Sequence, residues 1–250
     1  MRFTNPQFVQ RTAWLTALVL LAAGLAGCQS VAGIRPVSQV RVIDVSPDAP
    51  ALDIYQNSTQ SSSAVLYNVG FGTVSSYIPV LAGANTHAAC IAGTQQQIAT
   101  ARGNFAVGSQ YTVLAGNISA SLQMTVLKDQ SFPAPAGQVA LRFLDQATHV
   151  GTVDIYLVPP GSTLGRVSPI DTGLSFSSNT GYINVPSGTY SIVVLPGGAV
   201  PSSSASPIYT GSQAIYSAGS ARTILLIDQQ PAAPLGLQVI TANDYDPAIG

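Results

Sequence analysis

Residues 40–55 read VRVIDVSPDAPALDIY, and a related stretch, LRFLDQATHVGTVDIY, returns at residues 141–156. The two copies align without a gap, with Arg41 matching Arg142, Asp44 matching Asp145, and Asp-Ile-Tyr closing both. Short apolar runs on either side of a Ser-Pro-Asp-Ala-Pro segment are typical of two strands joined by a turn. The sequence therefore predicts a module that occurs twice and opens each time with this pair of strands.

Further landmarks recur in the same order along the chain. YIPV at residues 77–80 corresponds to YINV at residues 182–185, and Thr112 corresponds to Thr223. In the first copy, a polar loop is expected at residues 57–63, and strands are expected at residues 38–45, 51–56, 73–80, 86–91, 97–101, 110–115 and 122–127. This spacing predicts an all-β protein of two tandem antiparallel β-sandwiches with Ig-like or transthyretin-like wiring, with a small closed barrel as the alternative.

The composition agrees with strands and turns. Only 8% of residues are charged, there is no Glu, Lys128 is the only lysine, and the chain holds 23 Gly and 17 Pro. A hydrophobic content of 46% and a net charge of −1 argue against intrinsic disorder. Because no basic patch is present, the sequence argues against a nucleic-acid partner.

The N-terminal segment has the layout of a bacterial export signal. Arg2 and Arg11 precede an apolar run at residues 13–25, which is shorter than the about 20 residues of a membrane-spanning helix. The run ends in Leu-Ala-Gly-Cys at residues 25–28, which resembles the lipobox of bacterial lipoproteins. The alternative is an ordinary signal peptide followed by a chance cysteine.

The lipobox resemblance implies a helical signal peptide at residues 1–27 and a fatty-acylated, palmitate-bearing Cys28 that anchors the chain in a membrane. Gln29 in place of Asp then favours the outer membrane, with the protein facing the periplasm or the cell surface. Residues 28–37 would form a tether that reaches roughly 30 Å when extended.

The repeat and the turn residues set the expected domain boundaries. The first module is expected at residues 38–132, a Pro-rich linker at 133–137 and the second module at 138–243. The prolines predict that the linker is an extended and stiff spacer. The second module has an additional Pro/Ser-rich loop at residues 196–207, expected to be exposed, and the chain is expected to end in a tail at residues 244–250 that frays from about residue 241.

The first module also resembles a known family. The stretch at residues 40–55, followed by GFGTVSSYIPV at residues 70–80, is similar to the bacterial domain of unknown function 4397. The resemblance implies an exported β-sandwich module and implies no activity. The second copy departs from the family pattern, because ATHVG at residues 147–151 replaces the Ser-Pro-Asp-Ala-Pro turn.

His87 and Cys90 are the first candidates for chemistry. They are three positions apart on a predicted strand, so their side chains are expected on opposite faces. We expect Cys90 to be a buried core residue and His87 to be a surface residue. His149 lies in a turn of the other module, so a metal site built from His87, Cys90 and His149 is not expected.

Three carboxylates crowd the first strand–turn–strand. Asp44, Asp48 and Asp53 are weak candidates for a Ca²⁺ site, although their spacing fits no known loop pattern. In the structural interpretation, Asp44 and Asp48 accept hydrogen bonds from turn amides, and Asp53 pairs with Arg41 across the hairpin.

No catalytic motif or cofactor motif stands out. Tyr55, Tyr67, Tyr77 and Tyr111 form an aromatic binding surface or, alternatively, cap a sandwich core. The preferred expectation is a lipid-anchored, non-catalytic binding or scaffolding protein of the cell envelope, with an envelope protein or a glycan as its partner. The alternatives are a hydrolase-type enzyme with a site between the modules, using His87, His149 or an Asp, and a subunit of a surface filament or adhesin.

Overall fold

The structure of the protein is a computed structural model that describes residues 35–202, 204–230 and 236–247. The predicted signal peptide, Cys28 and most of the tether lie outside these residues. Within the described ranges, no helix is both long enough and apolar enough to cross a membrane. Residues 37–250 cluster as one compact unit, which contains both copies of the repeat.

The first copy folds as a β-sandwich of two four-stranded sheets. Its first sheet has the order β4-β1-β7-β8 and its second sheet has the order β3-β2-β5-β6. The strands are β1 (Val37–Asp44), β2 (Leu52–Gln56), β3 (Ala64–Val69), β4 (Ile78–Leu81), β5 (Gly83–Ile91), β6 (Gln97–Phe105), β7 (Gln110–Gly116) and β8 (Gln123–Lys128). The sheets enclose a core that includes Val40, Leu52, Ile54 and Val113.

The second copy repeats this arrangement. Its first sheet has the order β12-β9-β16-β17, and its second sheet has the order β11-β10-β13-β14, with β15 also paired to β13. The strands are β9 (Gln138–Gln146), β10 (Val153–Val158), β11 (Asp171–Leu174), β12 (Asn179–Pro186), β13 (Gly188–Pro196), β14 (Tyr209–Thr210), β15 (Ala214–Tyr216), β16 (Ala221–Asp228) and β17 (Leu237–Tyr245). Leu141, Phe143, Ile155 and Ile224 lie in its core.

The predicted all-β sandwich class is confirmed, and the registers confirm that the two opening strands are equivalent. Ser38 lies opposite Val80, and Val139 lies opposite Val185 in the second copy. The structure adds one feature to the antiparallel wiring that was predicted: β1 runs parallel to β7, and β9 runs parallel to β16.

The first sheets of the two sandwiches pack against each other. Strand alternation places Val40 and Val42 in the core of the first sandwich and turns Ile43 to the opposite side. There Ile43 joins Leu114 of the same sandwich and Leu144 and Leu225 of the other in one buried cluster. A strand buried on both faces therefore lies at the centre of the protein, as the apolar residues on both sides of β1 indicated.

Several predicted boundaries were wrong. The predicted strand at residues 73–80 is only a bridge at Val74 followed by the short β4, and β3 was not predicted at all. Residues 133–137 do lie between β8 and β9, but they are not the extended spacer that was predicted: Ala134 is buried, and its amide donates to the carbonyl of Gly219 in the second sandwich. The tail begins later than residue 244, because β17 continues through Tyr245.

Candidate functional site

Two arginines lie in the interface between the sandwiches. Arg41 of β1 and Arg142 of β9 are equivalent in the repeat, and they are only 1% and 3% exposed. Because both residues share a strand face with the apolar residues of the interface, their guanidinium groups point toward the opposite sandwich. Buried cations of this kind need anionic partners.

Each arginine has its partner in the other copy. Arg41 pairs with Asp244 of β17 and lies 3.7 Å from a carboxylate oxygen of Asp129. Arg142 pairs with Asp129, just after β8, with 2.6 Å between Nη2 and Oδ1. The two sandwiches therefore exchange an arginine–aspartate pair.

The arginines also donate to backbone carbonyls across the interface. Arg41 Nη1 donates to the carbonyl oxygen of Asn243 at 2.9 Å, and Arg142 Nη1 donates to that of Lys128 at 3.0 Å. These bonds fix the orientation of each guanidinium group, in addition to its ion pair with an aspartate.

Hydroxyl groups of the same sandwich hold each aspartate. Thr112 and Tyr77 each donate to Oδ2 of Asp129 at 2.7 Å. In the second sandwich, Thr223 and Tyr182 each donate to Oδ2 of Asp244 at 2.7 Å.

The same threonines and tyrosines also hold the arginines. Arg41 Nε donates to the Thr112 hydroxyl at 2.8 Å, and its guanidinium carbon lies 5.0 Å from the centre of the Tyr77 ring. Arg142 has the equivalent contacts, with 4.7 Å to the Tyr182 ring. We call the set the inter-module network, and its members are Arg41, Tyr77, Thr112, Asp129, Arg142, Tyr182, Thr223 and Asp244.

The electrostatics keep Arg41 charged. Burial opposes the charge on Arg41, but the Asp129 and Asp244 carboxylates outweigh burial and raise the pKa of the guanidinium. Burial and the neighbouring Asp129 raise the pKa of Tyr77, so its phenol remains a hydrogen-bond donor. The two arginines and two aspartates balance to zero net charge within a buried interface.

The predicted pairing of Asp53 with Arg41 was wrong. Asp53 points to the outer face of the second sheet, where its oxygens accept the amides of Asn68 and Gly93 at 2.8 Å each. Asn68 and Gly93 have φ angles of 54° and 75°. Asp53 therefore fastens two left-handed backbone positions to β2.

The three weak Ca²⁺ candidates are not brought together. Asp44 Oδ1 accepts the amide of Ser46, and the exposed Asp48 accepts the amide of Ser119 in another turn, while Asp53 lies on a different sheet. Within residues 35–202, 204–230 and 236–247, no three His, Cys, Asp or Glu side chains lie close enough together to hold a metal ion. The prediction that these aspartates accept amides of their own turn is confirmed for Asp44, whereas Asp48 binds the distant Ser119.

Asp44 and its equivalent Asp145 are buried carboxylates. Asp145 accepts the amide of Ala147, as Asp44 accepts that of Ser46, and among the described residues the Oδ2 atom of each has no hydrogen-bond partner. Burial raises the pKa of both carboxyl groups to about 6.

His87 is not the surface residue that was predicted. It is fully buried in the first sandwich, with its ring centroid 5.0 Å from that of Phe105. Neither ring nitrogen has a hydrogen-bond partner within the described part of the chain, and burial lowers the His87 pKa to about 4. Cys90 is buried, as predicted. His149 lies in an exposed turn beside Asp228, so the structure does not bring the two histidines together.

The four tyrosines do not form one surface. Tyr111 is buried and accepts the amide of Ala106, while Tyr77 belongs to the inter-module network. Tyr55 is buried on the outer face of the second sheet, and the 58% exposed Tyr67 meets its edge at a centroid distance of 6.4 Å. A surface pocket of about 610 Å³ lies beside Tyr55 and Tyr67, and it is completed by Asp53, Asn68 and residues 92–95.

A sequence signal for the inter-module network existed. Its arginines, threonines and tyrosines recur at matching positions of the repeat, on strands expected to be buried. Identical polar residues in both copies at such positions point to a shared polar contact. Their partners could not be assigned, because Arg41 and Asp244 are separated by most of the chain.

Comparisons with known proteins place this geometry in context. No match to the chain is found among curated proteins. Two similar solved structures are both called "putative cell adhesion protein". The structure from Bacteroides uniformis is 14% identical, covers 87% of this chain and 100% of its own, and has a TM-score of 0.24. The one from Bacteroides fragilis is 9% identical, covers 85% of this chain and 100% of its own, and has a TM-score of 0.22. Neither similarity is close enough to transfer a property to this chain.

A family model gives the firmer result. The family described as "Domain of unknown function (DUF4397)" matches residues 38–156, which cover nearly all of the first sandwich, β9 and the start of β10. The predicted resemblance to the DUF4397 family is thereby confirmed for this part of the chain.

Proposed function

We propose that the chain is a non-catalytic binding or scaffolding protein of the bacterial cell envelope, anchored in the outer membrane by a lipid on Cys28. Its two sandwiches act as one rigid body that presents two outer sheets at a fixed separation. The observation that carries this proposal is the exchange of arginine–aspartate pairs between the sandwiches.

The physical reason lies in the cost of burying charge. Modules joined by a short linker move relative to each other by default. Here a rotation of one sandwich would separate four buried charges from their partners, and each unpaired ion would lose several kcal/mol. Since all eight side chains of the network must fit at once, a single orientation is favoured. Such an arrangement suits a scaffold better than a hinged enzyme.

The lipid anchor is supported by the sequence alone. Residues 25–28 resemble a lipobox, and Gln29 favours the outer membrane. We expect the wild-type protein to fractionate with outer membranes and Cys28→Ser to appear in the soluble fraction. Retention of Cys28→Ser in the membranes would overturn the anchor.

The rigid arrangement is tested by spin labels on both sandwiches. In a C28S, C90A background, cysteines replace the exposed Gln95 in the first sandwich and Ser212 in the second. We expect a narrow distance distribution between the labels, and a broader one when R41A is added. The matched control is R222A, because Arg222 pairs with the exposed Asp246 outside the network. A broad distribution in the unmodified background would contradict the proposal.

A further inference from the structure

One end of the first sandwich carries exposed apolar side chains. Val37 opens β1 and is paired across the sheet with Leu81 at the end of β4. The carbonyl of Val37 accepts the amide of Gly108, which places the turn containing Val107 at the same end. Val37, Leu81 and Val107 are 42%, 41% and 67% exposed, and we call them the apolar end.

The second sandwich lacks this feature. The repeat places Gln138, Pro186 and Ala218 at the positions of Val37, Leu81 and Val107. The apolar end is thus not a requirement of the fold, because the same fold forms in the second copy without it.

Charge divides the first sandwich along the length of β1. The apolar end is built by residues 37–39, 79–86 and 102–111. None of these three segments contains an aspartate. Asp44 and Asp48 lie at or beyond the other end of the strand, which is 8 residues long, or about 26 Å. Asp129, whose amide donates to the carbonyl of Gln110 near the apolar end, is buried and paired with Arg142, so this end can approach an anionic surface, whereas the exposed Asp48 at the other end is repelled by it.

The chain upstream identifies the surface that the apolar end meets. On the proposed lipid anchor, on which this inference rests, residues 29–36 join the acylated Cys28 to Val37. That tether spans at most roughly 30 Å. Arg35, two residues before Val37, adds a positive charge suited to anionic headgroups.

We propose that the apolar end docks on the membrane surface, with Val37, Leu81 and Val107 inserted among the lipid headgroups. The first sandwich then stands on the bilayer with Asp44 and Asp48 directed away from it. The acyl chains supply the anchoring, and the apolar end supplies the orientation.

A single tryptophan tests this docking. Trp14 is the only tryptophan of the chain and lies in the predicted signal peptide, so a tryptophan introduced into the mature protein reports alone. We compare V107W with A218W, its repeat-related control, as lipidated proteins in vesicles of phosphatidylethanolamine and phosphatidylglycerol containing brominated phosphatidylcholine. Flotation of the vesicles reports the anchor, and quenching of tryptophan fluorescence by bromine reports the docking.

We expect both variants to float and V107W to be quenched at least about twofold more than A218W. Adding V37S and L81S to V107W should reduce the quenching to the level of A218W. Equal quenching of V107W and A218W in floating vesicles would overturn the docking and leave the anchor intact. Failure of both variants to float would overturn the anchor and the docking together.

Discussion

The second sheet of each sandwich has the same Asp and Tyr on its outer face, Asp53 and Tyr55 in the first copy and Asp154 and Tyr156 in the second. The two copies differ in how much of this outer face is covered. Asp154 fastens Gly173 and Gly198 as Asp53 fastens Asn68 and Gly93. In the first sandwich the chain turns directly into the continuous strand β6. In the second, residues 197–208 intervene, and the equivalent edge strand is split into β14 and β15.

The inserted segment covers the outer face of the second sandwich. Ala199 and Ala205 of this segment pack against Tyr156, Val193 and Leu195, together with Leu164 from the connection between β10 and β11. The first sandwich has the smaller Ala88 and Cys90 at the positions of Val193 and Leu195, and a pocket opens on the same face beside Asp53 and Tyr55. Larger apolar side chains thus occur where a loop covers them, and the face without the loop is the one open to a partner.

The inter-module network is the feature that both copies share, and its disruption is expected to have the largest effect. Arg41→Ala leaves Asp244 buried without its cation and should lower the free energy of unfolding by about 3–5 kcal/mol. Arg142→Ala should cost less, because Asp129 still lies 3.7 Å from Arg41. Urea unfolding of the purified proteins measures both.

The control for these variants is Arg222→Ala. Arg222 pairs with Asp246, which is 54% exposed, so its loss should cost about 1 kcal/mol or less. If Arg41→Ala cost no more than Arg222→Ala, the network would be a surface-like contact and the two sandwiches would not be tightly coupled.

The covered face of the second sandwich gives the next largest effect. Leu195 is fully buried beneath the inserted segment, so Leu195→Ala should lower the free energy of unfolding by about 2–5 kcal/mol. At the equivalent position, Cys90→Ala removes a single sulfur atom and should cost about 1 kcal/mol. If urea unfolding gave equal decreases in the free energy of unfolding for both variants, the inserted segment would not cover the outer face of the second sandwich.

Sequence patterns predicted the features that recur at short range. The opening strands, the turns and the presence of two modules all follow from residues 40–55 and their repeat. β3 was missed because AVLYNV follows a long polar stretch and includes the exposed Tyr67 and Asn68. The region at residues 73–80 was assigned as a strand from its apolar residues, but Ser75 binds the β1 backbone through its hydroxyl group and interrupts the pairing.

Contacts between distant segments were beyond local patterns. The identity of Arg41 and Arg142 in the repeat was visible, but the partner of each lies in the other copy. His87 was assigned to the exposed side of a half-exposed strand, whereas register places it opposite Gln56 on the core side of β5. Whether a single polar residue is buried depends on how the whole sandwich packs around it. An alternating pattern does not distinguish the two faces of a strand when both faces are partly apolar.

Replacing His87 by the residue at the equivalent position of the second sandwich gives a further prediction. The repeat places Ile192 at the position of His87. Because the buried imidazole lacks partners among the described residues, His87→Ile should raise the free energy of unfolding by about 1–3 kcal/mol. The reverse change, Ile192→His, should be destabilising in the second sandwich.

The effect of His87→Ile should also depend on pH. The pKa of His87 is lowered to about 4 in the folded state, so the unfolded chain binds more protons between about pH 6.5 and pH 4. The free energy of unfolding of the wild-type protein therefore decreases as the pH falls through this range. The gain from His87→Ile should therefore increase toward pH 4 in unfolding measurements, and a gain independent of pH would contradict a buried neutral His87.

Asp44 and Asp145 should show the opposite pH dependence and the smallest effect. Burial raises their pKa values to about 6, so the folded protein binds the extra proton between about pH 4 and pH 6. Stability is then fully present below pH 4 and is lost as the pH rises through 6. Asp44→Asn removes the buried charge and keeps an oxygen for the Ser46 amide.

We therefore expect Asp44→Asn to raise the free energy of unfolding at pH 7.5 by roughly 1–2 kcal/mol and to leave it unchanged at pH 4. Asp145→Asn should behave in the same way, because its amide contact and burial are equivalent. Asp48→Asn, in an exposed turn, is the control and should show no such dependence. A stabilisation by Asp44→Asn that Asp145→Asn does not share would mean that the two sandwiches, despite matching backbones, solvate these carboxylates differently.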